Sequence, residues 1–179
     1  MTHDKVSISK SKQKGQVVRD SWLFFRLRDL FVQVVFVGLL PFMALNFLFI
    51  QLKQKESLFS ASIFLIISLI LGAIFLYSIL DLNKLKRIKG VKKDKNMKII
   101  KNWAETHNWQ LEIHNQDISV LTCNNWFSTA FKKELVVLYH KEEILTNSIC
   151  YGLFDMKSPF HYFTNKKLIS ELESLFVKP

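Results

Sequence analysis

With 179 residues, 49% of them apolar and 16 of them phenylalanine, the chain is long enough for one medium domain, or for a membrane anchor and one small domain. Its 5 glycines and 3 prolines are too few for a collagen-like or low-complexity disordered chain, and its 2 cysteines, Cys123 and Cys150, too few for a disulfide framework. The net charge of +10 is concentrated in residues 1–28 and 81–98, leaving residues 99–179 near neutral. A nucleic-acid binder carries its basic face on the folded domain, so no nucleic-acid partner is expected.

The leader, residues 1–28, holds Lys5, Lys10, Lys12, Lys14, Arg19, Arg26 and Arg28 against Asp4 and Asp20. Within Val17 to Asp29, Val18, Trp22 and Phe25 recur at i, i+4 and i+7 while Arg19 and Arg26 share another face. That pattern fits an interfacial amphipathic helix with Trp22 at headgroup depth, or an extension of the helix that follows.

Residues 29–82 hold two runs without a charged side chain, Leu30 to Ile50 and Leu58 to Leu80. Each run is long enough to cross about 30 Å of hydrocarbon. Inside hydrocarbon every backbone N–H must be bonded within its own segment, so both are expected to be transmembrane helices. The connector from Gln51 to Ser57 leaves room only for a tight turn, which makes them an antiparallel hairpin. Two alternatives fare worse. No other stretch is large enough to cover two such helices in a soluble core, and no small-residue cleavage pattern follows Ile50.

Inside the hairpin, Pro41 is expected to kink the first helix, and Ser68 and Gly72 form a small-xxx-small pair that lets the first helix approach. Gln33 and Asn46 are candidates for hydrogen bonds between helices. Neither run contains the ionisable residues on which proton relays and ion pathways depend, so transport by this chain alone is not expected.

Residues 83–96 read as a basic juxtamembrane linker with Lys84, Lys86, Arg87, Lys89, Lys92 and Lys93. Cytoplasmic flanks retain Lys and Arg, so both chain ends are placed in the cytoplasm of a cell whose inner (plasma) membrane the protein spans twice. These six residues, with Arg26, Arg28 and Trp22, are the candidate contacts to anionic lipid headgroups.

Residues 97–179 read as a small cytoplasmic α+β domain, an antiparallel sheet of about four strands flanked by N- and C-terminal helices on one side. Met97, Ile100, Trp103 and Ala104 share a helix face over roughly Lys95 to Thr106. Trp109, Leu111 and Ile113 alternate, as do Ile118, Val120 and Thr122, with Asn115-Gln116 between them; Leu135 to Tyr139 and Ile144 to Tyr151 form a second hairpin about residues 140–143. Thr164 or Asn165 is expected to cap a last helix with Leu168, Leu172 and Leu175 on one face. The layout, a membrane hairpin followed by a small β-rich domain, is similar to that of bacterial proteins carrying a pleckstrin-homology-like module beside two transmembrane helices.

Motifs that carry chemistry are few. His107, His114, His140 and His161 lack the i, i+4 or HExxH spacing of a metal site, and no metal is expected. No glycine-rich loop exists to cradle phosphate, so neither a nucleotide nor another cofactor is expected. A Cys–His pair joining Cys123 or Cys150 to His140 or His161 competes with the reading that a cysteine in an apolar strand is a packing residue. Ser158, Pro159, Phe160, His161 and Tyr162, with Trp126 beside Phe127, are candidate partner contacts, against the expectation that Phe160 and Phe163 plug the core while Pro159 shapes a turn.

Three functional expectations follow: a non-catalytic accessory, assembly or regulatory subunit of an inner-membrane complex, docking another membrane or cytoplasmic protein; an anionic-lipid-responsive module; or an enzyme at the membrane face using His161 or His140. The first fits best with the absence of a catalytic motif.

Overall fold

The computed structural model describes residues 6–19, 23–55, 57–123, 132–152 and 157–177. It divides into two compact units, one formed by residues 1–21 together with 82–179, the other by residues 22–81. The sequence between Ser21 and Leu82 is thus inserted into a unit whose parts lie on either side of it.

The inserted unit is two helices packed side by side, α2 (Leu23–Gln54) and α3 (Phe59–Asp81). Both are long and apolar enough to cross a membrane. From Leu23 onward α2 is unbroken, so of the segment that reads as an interfacial helix, Leu23 to Asp29 are the first turns of α2, while Val17 to Arg19 run extended and belong to the other unit. Lys55, at φ 55°, ends that helix in the left-handed conformation common at helix C-termini. Along α3 the buried residues are small: Ala61, Ser68, Gly72 and Ser78, with Asp81 at the end. At Gly72 a Cβ would sit 3.5 Å from Pro41 Cγ and 3.6 Å from the carbonyl oxygen of Val37. Proline has no N–H to give the carbonyl four residues back, so α3 makes its close approach at the carbonyl Pro41 leaves unbonded. Phe47 and Phe64 meet edge to face at 6.1 Å between ring centres.

The larger unit is built on one antiparallel sheet of five strands in the order β1-β5-β4-β3-β2: β1 (Lys86–Lys89), β2 (Gln110–His114), β3 (Ile118–Cys123), β4 (Lys132–His140) and β5 (Glu143–Tyr151). The expectation of about four strands misses β1, which occupies part of the stretch that reads as a linker and pairs Ile88 with Ile144. Four residues, three of them basic, carry little strand signal; Ile88, almost fully buried, is what holds β1 in the sheet. The β2–β3 turn does without glycine because Asn115 Oδ1 accepts from the backbone N–H of Asp117 and of Ile118, each at 3.0 Å.

One face of the sheet is covered by α4 (Lys93–Thr106) and α5 (Tyr162–Val177), with Ile100, Trp103, Ala104, Ile169 and Leu172 packed on Ile88, Leu121, Leu135, Val137, Tyr139 and Ile144. A short 3-10 turn, Pro159–His161, leads into α5, which therefore starts before Thr164 and Asn165. Asn165 is a buried residue inside the helix and not its cap. At the start of α4, Asn96 is fully buried, accepts from Val91 N–H at 2.8 Å and donates to Val91 C=O at 3.0 Å. A Cβ on Gly90 would come within 2.7 Å of that amide, so the close approach requires glycine.

The second face is the main departure from expectation, since helices on one side were all the sequence promised. Ile118, Val120, Val136, Leu138 and Leu145 form a second core, and Val17 from the leader closes it, with Val6, Ile8 and Leu85 at its margin. Residues 6–19 of the leader are folded: helix α1 (Ile8–Lys14) ends at Gly15, whose φ of 61° suits glycine, and the chain then runs extended beside residues 83–85. Ser7 N–H donates to Val18 C=O at 2.8 Å and Lys12 Nζ to the Tyr139 carbonyl at 2.9 Å. Burying a valine such as Val17 contributes about 1.5–3 kcal/mol, and it also shields its five apolar neighbours from water.

A chain in which residues 1–19 are joined by a short Gly/Ser linker to residues 82–179 is expected to be soluble and to unfold cooperatively. Residues 82–179 alone are expected to bind an apolar dye and aggregate, and comparing the two by dye fluorescence and size-exclusion chromatography checks the role of the leader.

Candidate functional site

A group of buried polar contacts gathers where the chain leaves the sheet unit for the inserted helices and returns. Gln16 and Lys84 form a β-bridge, Val17 N–H donates to Asn83 C=O at 2.7 Å, and Leu85 N–H to Gly15 C=O at 2.9 Å. The outgoing and returning segments are therefore zipped together. On the outgoing side Arg19 pairs with Glu134, a nearly fully buried carboxylate on β4. On the returning side the Asn147 amide on β5 donates to the carbonyls of Leu82 and Lys84 at 2.9 and 2.8 Å, and Lys157 Nζ donates to Asn83 Oδ1 at 2.6 Å. Nothing in the spacing announces that Arg19 meets Glu134 or that Asn147 meets Leu82 and Lys84. A buried glutamate in an apolar strand was the one available signal.

Lys157 opens the stretch that carries the candidate partner contacts. Ser158 N–H donates to the Cys150 carbonyl at 2.8 Å, which seats Ser158 and Pro159 in the interior. Pro159 shapes a turn as expected, but Phe160 and Phe163 do not plug the core: they are 57% and 72% exposed. Because α5 turns Asn165, Ile169 and Leu172 inward, at i, i+4 and i+7, Phe163 falls off the buried face. His161 and Tyr162 are half-buried, and Tyr162 and Phe163 meet edge to face at 5.4 Å. Trp126 and Phe127 lie outside the described residues.

Two side-chain clusters have the composition of active sites. In the first, Cys150 Sγ, fully buried on β5, donates to Asn165 Oδ1 at 3.1 Å, Ser148 Oγ donates to the same oxygen at 3.3 Å, and Ser158 Oγ lies 3.0 Å from His161 Nδ1. Burial pushes the Cys150 thiol up to about 11, with Lys133 pulling partly back, and burial followed by Lys133 holds His161 below the usual imidazole range. A nucleophilic cysteine needs the opposite shift. In the second cluster, His114 Nδ1 lies 2.7 Å from Ser119 Oγ, which lies 2.8 Å from Tyr139 Oη. Ser119 is fully buried, and burial pushes the Tyr139 phenol up to about 12, so this chain of hydrogen bonds satisfies interior polar groups. His140 is exposed at the far end of the β4–β5 hairpin. Among the described residues no group of three or more His, Cys, Asp or Glu is placed to hold a metal.

Several of the candidate headgroup contacts have carboxylate partners within the sheet unit, among them Lys86 with Glu173 at 2.5 Å, Arg87 with Glu143 at 3.4 Å and Lys93 with Asp117 at 3.0 Å. Lys93 holds the Asp117 carboxyl below its usual range. Lys84, Lys89 and Lys92 are exposed, and Arg28 is half-buried in α2. Trp22 and the Arg26 side chain lie outside the description. Of the candidate helix-packing residues, Ser68 and Gly72 lie in the α2–α3 contact, Ser68 Oγ donating to Phe64 C=O at 2.7 Å. Asn46 is exposed and donates to Phe42 C=O in its own helix at 2.8 Å, so its amide is satisfied there. Gln33 is half-buried.

Compared with protein-family models, curated proteins and solved structures, the chain matches none of them. The similarity of layout to membrane proteins with a pleckstrin-homology-like module gains no support there.

Removing one partner of a buried ion pair strands the other, so Arg19→Ala is expected to cost about 3–5 kcal/mol in denaturant titrations of the full chain in detergent, and Arg19→Met combined with Glu134→Leu distinctly less. The shifted groups give a pH prediction. Cys150 and Tyr139 are raised, so their contribution is complete at neutral pH and is lost as pH climbs through about 11 and about 12. His161 is lowered, so its contribution is complete above the ordinary imidazole range and is lost as pH falls below it. Stability of the sheet unit is expected to fall on both sides of neutrality, with His161→Gln flattening the acid side. A thiol reagent at neutral pH should modify Cys123 well before Cys150.

Proposed function

We propose that this chain is a non-catalytic interaction subunit of a cell's inner membrane, held by a hairpin that spans the bilayer twice with both chain ends in the cytoplasm, and that its sheet unit docks another protein of a membrane complex. The observation that carries the reading is that residues on both sides of the hairpin fold into one sheet unit. Segments that share a core must lie on the same side of a bilayer, which requires an even number of crossings, as two apolar helices provide. The basic leader and the basic stretch after α3 make that side the cytoplasm.

The apolar side chains along both helices support membrane insertion. Phe31, Phe42, Phe49, Phe59, Ile66, Ile70 and Leu80 are all exposed, as they would not be in the core of a soluble protein. The absence of catalysis is argued from protonation and burial: the Cys150 thiol is held neutral and bonded to Asn165, and Ser119 has no path to a substrate. With Lys86, Arg87 and Lys93 already paired, the basic flank has less charge free to read lipid headgroups than its sequence offers.

Affinity purification of the tagged full-length protein from its own membrane in mild detergent, followed by mass spectrometry, is expected to recover a stoichiometric partner. A monodisperse protein with nothing attached would overturn the subunit reading.

A further inference from the structure

We infer that residues 157–167 form a bilayer-docking loop, in which Phe160 and Phe163 enter the interface of the membrane that the hairpin spans while the lysines around them meet anionic headgroups. The inference rests on the proposed insertion of the hairpin.

Position comes first. Lys157 Nζ is bonded to Asn83, two residues beyond the last residue of α3, so the loop is fastened to the point where the chain returns from the hairpin. Arg19, four residues before α2 begins, is fastened to Glu134 near the start of β4. Lys132, at the start of β4, pairs with Tyr151, and Tyr151 bridges to Lys157. Exit, return and aromatic loop therefore share one end of the β4–β5 hairpin. The turn at Lys141 and Glu142 is the other end, about 30 Å away over nine residues of strand. With its chain connections to the hairpin at that end, the sheet unit keeps this loop within reach of a bilayer surface.

Chemistry comes second. Phe163, at 72%, is among the most exposed large apolar side chains described, and among the described residues of the sheet unit Phe160, at 57%, comes next. Tyr162 carries Lys166 Nζ 5.3 Å from its ring centre, Lys166 and Lys167 are exposed, and no Asp or Glu occurs from Lys157 to Ser170. Aromatic rings flanked by lysine on the surface of a tethered domain have the composition of a membrane-interface anchor, the lysines being drawn toward an anionic surface. A protein partner is the competing occupant.

The test replaces Phe163, Ile70 on α3 or Lys141, one at a time, with the photo-crosslinking residue p-benzoylphenylalanine in the full-length protein. Irradiation is carried out in cell membranes and in vesicles of mixed phosphatidylcholine and phosphatidylglycerol. Position 163 is expected to form about tenfold more lipid adduct than position 141, approaching that at position 70, and to give no protein adduct in cells. Lipid adduct at 70 without any at 163, equal adduct at 163 and 141, or capture of a protein at 163 would each overturn the inference. Absence of lipid adduct at 70 would overturn the membrane reading itself, and the inference with it.

Discussion

The structure depends on a sheet that must be covered on two faces. β3, β4 and β5 are buried on alternate residues in both directions, and water on either side would meet five or more aliphatic side chains. Helices α4 and α5 cover one face from within residues 82–179. The other is closed by Val17 and its neighbours, which precede the inserted helices in sequence. That contact forces Gln16 beside Lys84 and Arg19 beside Glu134, and with them the shared end from which both chain connections to the hairpin depart.

Much of this was legible in the residues. The two apolar helices, the second hairpin and the buried faces of α4 and α5 follow from charge-free length, β-branched runs and 3.6-residue spacing. β1 was not, because Lys-Arg-Ile-Lys has one apolar residue and its place in the sheet is set by Ile144 across from it. The role of the leader was hidden by the same charge that made it readable as a topological signal: Lys12, Arg19 and Val17 all take part in the fold. One clue was available. The runs Leu135–Tyr139 and Ile144–Tyr151 are too continuously buried for a sheet covered on one face only, and a second cover had to come from somewhere.

The polar residues of the sheet unit show how a site-like composition can be spent on folding. Cys150, Ser148 and Asn165 converge under the start of α5, as do Ser158 and His161 at its 3-10 turn, and Asn96 fastens the start of α4. Each satisfies hydrogen-bonding groups that burial would otherwise leave bare. A list of histidines, serines and cysteines does not show which of them burial has enlisted; the hydrogen bonds do, and the raised thiol of Cys150 weighs against its use as a nucleophile.

A unit completed by its first residues has a set order of assembly. Val17 leaves the ribosome before the hairpin is made, while its neighbours Val136, Leu138 and Leu145 follow on the order of ten seconds later at ordinary synthesis rates. During that interval the leader has no sheet to fold on, and the returning half has no cover until the leader finds it. Nascent chains of this protein therefore carry an open apolar sheet face, and maturation of the unit ends when the segment around Val17 covers it.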